Sequence, residues 1–76
     1  MKKLKILNQR ITFDINGSFD YLEAIEIYLK TLPHLFVTVG TIYRISGSLE
    51  HCMEVSCPEE TYKHVIILLE DFIKNN

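Results

Sequence analysis

His51, Cys52, Cys57 and His64 put four zinc-type donors within fourteen residues. The spacing denies the metal. His51 and Cys52 are neighbours in a stretch that reads as strand and so point to opposite faces, while Cys57 and His64 stand about two helical turns, roughly 10 Å, apart. With no C-x-x-C or H-x-x-x-H to bring two donors onto one ion, neither a metal nor any other cofactor is expected.

Cys57 is placed for thiol chemistry if it sits at a helix N-terminus, where the helix dipole lowers a thiol pKa. It lacks a base. His64 is too far along the same helix, nothing in the spacing brings His34 or His51 to it, and Glu59 and Glu60 oppose a thiolate. The expected role is a small capping residue, and thiol-dependent activity at Cys57 stands as a second alternative function.

Two glycine turns, Asn16-Gly17-Ser18 and Ser46-Gly47-Ser48, could offer backbone amides to a phosphate. Neither has a P-loop or dinucleotide pattern, and Asp20 or Glu59 and Glu60 already occupy the first turn of the helix that follows. Glu50 and Glu54 flank Cys52 on one strand face, but a small two-layer fold has no deep cleft to set their pKa values apart for hydrolysis. For nucleic acid the favourable feature is Lys2, Lys3, Lys5 and Arg10, half of the eight basic residues within the first ten positions. Three acids on the expected open sheet face count against phosphate, so nucleic-acid binding through this basic strand is the first alternative.

The elements that must carry these residues follow from periodicity. Leu4 and Ile6 alternate before Asn8-Gln9-Arg10, and Ile11, Phe13 and Ile15 alternate after it with opposite parity. That shift predicts a hairpin or one long bulged strand. Leu22, Ile25, Leu29 and Leu32 make a helical stripe from Phe19 to about Leu32, which Ser18 or Asp20 caps and Pro33 stops. Leu35, Val37, Val39, Tyr43 and Ile45 predict a third strand, and Leu49, Met53 and Val55 a fourth. Pro58 opens a helix with Tyr62, Val65, Ile66, Leu69, Phe72 and Ile73 on one side.

The expected fold class is therefore α+β, a two-layer sandwich with a four-stranded, mainly antiparallel sheet and two helices on one face. Its order is ββαββα, or βαββα if the first strand is one long bulged strand. A weak echo relates each residue to the one forty positions later, as in Phe13 with Met53, Asp14 with Glu54, Ile25 with Val65 and Leu29 with Leu69.

The chain has 76 residues and a mass of 8.9 kDa, 47% apolar and 24% charged with net charge −2, the profile of one small folded domain. No apolar run reaches the ~18 residues of a membrane span, and no signal-peptide segment follows Lys2 and Lys3. Free thiols at Cys52 and Cys57, roughly 16 Å apart if the segment is extended, point to the reducing cytosol.

Apolar residues exceed what so small a core absorbs. Ile27 and Ile67 fall on the charged sides of their helices, and Phe36 and Ile42, with Leu7, on the uncovered sheet face. The expected function is a non-catalytic protein-binding module, a regulator, inhibitor or subunit. It would use Phe36 and Ile42 rimmed by Arg44, Glu50 and Glu54, or Ile27 and Ile67, against a protein partner or a second copy of the chain.

Overall fold

The computed structural model describes residues 9–75. Strand β1 (Arg10–Gly17) leads into helix α1 (Phe19–Leu29), followed by a single 3-10 turn (Pro33–Leu35). Two short strands, β2 (Thr38–Val39) and β3 (Tyr43–Arg44), precede the long strand β4 (His51–Pro58), which runs directly into helix α2 (Glu59–Lys74). All pairing is antiparallel to β4: β1 lines one side of it, and β2 and β3 divide the other. The fold is the expected α+β arrangement of a four-stranded antiparallel sheet and two helices. Lys2, Lys3, Lys5 and Leu7, with the strand expected around Leu4 and Ile6, lie outside the described residues.

Alternation along β1 and β4 decides which side is covered. Phe13 and Ile15 join Met53, Val55 and Cys57 in the core with Leu22, Ile25 and Leu29 of α1 and Val65 and Leu69 of α2. Thr12, Asp14 and Glu54 are exposed on the other side. Phe13 meets Tyr62 edge-on at 5.8 Å, and Tyr28 stacks on Phe72 at 4.4 Å, so aromatic pairs tie sheet to helix and helix to helix.

The third strand departs from its prediction. Val39 lies opposite Val55 and Tyr43 opposite Cys52, so three residues on this edge face two on β4. That is a β-bulge at Gly40–Ile42, and it inverts the alternation. Ile42 therefore packs against the core and is not on the uncovered face, whereas Tyr43 turns outward and is 54% exposed. Leu49, expected to begin the fourth strand on its core side, is instead 90% exposed in the hairpin loop.

The helix ends also differ. The Ser18 hydroxyl accepts from the Tyr21 N–H at 3.1 Å, as its capping role predicts. However, α1 stops at Leu29, three residues short of Leu32. The residue before a proline is driven out of the helical region, and Leu32 sits at φ −117°, ψ 55°. The Thr31 N–H and hydroxyl both bond the Tyr28 carbonyl, closing the helix early. At the other helix Pro58, not Cys57, is the N-cap. Pairing of β1 with β4 continues to Arg10 opposite Pro58 and carries Cys57 into the sheet interior opposite Ile11.

The ladder gives the forty-residue echo a geometric meaning. Asp14 pairs with Glu54, and the same shift carries the pair Phe13–Val55 onto Met53–Ile15 and Thr12–Ser56 onto Cys52–Asn16. The unit β1–α1 is thus related to β4–α2 by an approximate two-fold axis between Asp14 and Glu54.

Candidate functional site

Pro33 begins the segment that presents Phe36. Buried Leu35 anchors it in the core, and the Thr61 hydroxyl of α2 donates to the Leu35 carbonyl at 3.0 Å. The Phe36 N–H closes the 3-10 turn on the Pro33 carbonyl at 3.1 Å. Arg10 holds the next peptide from across the sheet: its Nη2 donates to the Phe36 carbonyl at 3.0 Å, to Thr38 Oγ1 at 3.1 Å and to the Ser56 carbonyl at 2.9 Å, and its Nε donates to Ser56 Oγ at 2.8 Å. These contacts fix Phe36 at φ 56°, ψ 41°, the left-handed region, in the only non-glycine positive φ among the described residues. Such a conformation costs an L-residue about 1–2 kcal/mol, and still the ring is 66% exposed.

The rest of the expected binding surface is not gathered around Phe36. Arg44 pairs with His51 and Glu50 lies in the adjoining loop, while Phe36 is held at the level of Ser56, roughly 16 Å along β4 at ~3.3 Å per residue. Arg44 also lies in register with His51, on the parity of Met53 and Val55, because the bulge moves it off the open face with Ile42. Glu54 does lie on the open face, directly across from Asp14. Two carboxylates there, with Tyr43 beyond them and the Arg10 guanidinium at the far end over Ser56 and Thr38, make that face polar and charged. The Tyr43 phenol is raised above its ordinary pKa, first by its hydrogen bond to Cys52 and the charge interaction with that thiol, then by desolvation, Asp14 and Glu54. Sequence reasoning missed Tyr43. The isolated Gly40 within a strand pattern is the signal that marks the bulge and would have found it.

Ile27 and Ile67 are where the helical projection puts them, on the outer faces of α1 and α2 at 63% and 60% exposure.

The candidates for chemistry are dispersed. Cys57 is fully buried in the core, and burial pushes its thiol up, against weaker lowering by Thr61 and Arg10. Cys52 is buried as well, on the opposite parity of the same strand, and both thiols are free. His51 is half-buried, its Nδ1 is buried without a hydrogen-bond partner, and its ring meets Phe19 edge-on at 5.6 Å. Among the described residues no three His, Cys, Asp or Glu side chains are grouped to hold a metal ion. At the first glycine turn Tyr21 covers Gly17 so closely that a Cβ there would come 2.5 Å from the ring, leaving no cradle for an anion. At the second, Ser48 Oγ accepts from the Glu50 N–H at 3.0 Å. Arg10, the described member of the basic cluster, is exposed, and its guanidinium is engaged across the open sheet face with Ser56, Thr38 and the Phe36 carbonyl. No helix among the described residues is long and apolar enough to cross a membrane.

No family model matches the chain, and no curated protein or solved structure matches it.

Proposed function

We propose that this chain is a small cytosolic binding protein that acts by occupying the surface of a protein partner, with Phe36 as its anchor. The observation that carries the reading is an exposed aromatic ring held in a disfavoured backbone conformation by bonds from three elements. Strain concentrates where surrounding structure maintains a local geometry for use. An aromatic side chain on a backbone already held in place has less freedom to lose on entering a partner's pocket, so more of its burial appears as affinity. The two free, buried thiols accord with a reducing compartment.

Phe36→Gly tests this directly, because glycine tolerates the backbone and deletes only the ring. Capture of the partner from a cell extract, quantified by mass spectrometry, should fall at least about tenfold with the variant, as for loss of a hot-spot aromatic. Equal recovery by both proteins would remove Phe36 as the anchor.

A further inference from the structure

The outer face of α2 carries a charge pattern that reverses sign about Ile67. Seven residues before and after it stand Glu60 and Lys74; four before and after, Lys63 and Asp71; three before and after, His64 and Glu70. All six are exposed. At 100° per residue they lie within about 60° of the Ile67 direction, opposite the buried Val65 and Leu69. Lys63 and Glu70 fall on one side of Ile67, and His64 and Asp71 on the other.

Such a face complements itself in one orientation. If a second copy of α2 lies antiparallel across it, about a two-fold axis through Ile67, each Lys63 comes level with the other copy's Glu70, and His64 with Asp71. A parallel, in-register pair would oppose like charges throughout. The outer face of α1 has no equivalent pattern: around Ile27 it offers Asp20, Glu23 and Glu26 against Lys30, which already bridges Glu26 at 3.1 Å.

We propose that the outer face of α2 docks on the same face of a second copy of this chain, as an antiparallel two-fold contact centred on Ile67. This goes beyond the Phe36 reading and uses a different surface. With sixteen residues, α2 is about 24 Å long. One helix pair of that length buries less than about 1,200 Å² in total, so the dimer belongs to the weak, transient class.

Sedimentation velocity on the full chain, from ~10 µM to ~1 mM, reads the association. The wild type should shift from monomer to dimer across that range, and less so in 1 M salt. Lys63→Glu should weaken the dimer about tenfold, Ile67→Ser likewise, and the double variant Lys63→Glu/Glu70→Lys should return to within about threefold of wild type. Phe36→Gly should leave association unchanged. Circular dichroism confirms that each variant keeps its helices. A monomer at every concentration, wild-type association by Lys63→Glu, or no recovery in the double variant would each overturn the proposal, as would loss of the dimer in Phe36→Gly.

Discussion

Held at φ 56° with its ring in solvent, Phe36 gives the fold nothing that glycine could not supply at that position. Relief of the left-handed cost, about 1–2 kcal/mol, exceeds the ~0.5–1 kcal/mol that glycine adds in chain entropy. Phe36→Gly should therefore be as stable as wild type or up to ~1 kcal/mol more stable in urea unfolding, and a clear loss of stability would mean that the ring is structural. Cys57 takes the opposite part. Its thiol is raised in the folded protein by burial, so the fold binds that proton more tightly than the unfolded chain does. The sign follows from linkage: this contribution is complete below the ordinary thiol range and is lost as pH rises through the raised value. Stability should fall on going from pH 8 to pH 10, less steeply in Cys57→Ala, and a thiol reagent at pH 8 should modify neither cysteine before unfolding. Rapid labelling of the native protein would contradict the burial of both. Sequence reading expects Cys57 as a small capping residue; that it belongs to the buried strand and not to the helix cap was not legible, because the cap depends on how far β1 pairs along β4.

At the scale of elements, the β1–β4 ladder sets Asp14 directly across from Glu54 on the exposed face. Like charges in that position oppose pairing by roughly 0.2–1 kcal/mol. Asp14→Lys converts the repulsion into an attraction across the β1–β4 ladder and should raise the urea midpoint by the equivalent of about 0.5–1 kcal/mol at low salt. In 1 M salt, where the Debye length is ~3 Å, most of the gain should vanish. A variant that is no more stable at low salt would show that the pair does not repel. The strands on the other side of β4 show where sequence reading reaches its limit. Alternation from Leu35 to Ile45 predicts one strand, whereas Leu35 closes a 3-10 turn and only Thr38–Val39 and Tyr43–Arg44 pair, with one extra residue at Gly40–Ile42 exchanging the faces of Ile42 and Tyr43. Hydrophobicity could not reveal this, since both residues are large and apolar enough for either side.

Across the whole molecule, residues 23–29 of α1 share environments with those forty positions later in α2: Ile25 and Val65 are fully buried, Leu29 and Leu69 nearly so, and Ile27 and Ile67 are exposed. A single core spans both halves, so unfolding should be one cooperative transition. Leu29→Ala and Leu69→Ala should each cost about 2–5 kcal/mol, against a total stability of roughly 4–11 kcal/mol for a chain of this length. Both variants should lose a large and similar share of that stability in calorimetry. Near-native stability of either would show that the two halves are not equivalent in the core.

The amino-acid sequence by itself determined the α+β class, both helices, the burial of Leu22, Ile25, Leu29, Val65 and Leu69 on their inner stripes, though not of Ile73, and the outward placement of Ile27 and Ile67. Each of these follows from a period within one segment, where neighbouring side chains share a fixed geometry. Tertiary structure alone decided the bulge, the placement of Cys57, Arg10's hold on the Phe36 carbonyl, and the separation of Arg44 and Glu50 from Phe36. Those depend on register between segments distant in the chain, and a slip of one residue there changes what a side chain faces without changing any local pattern.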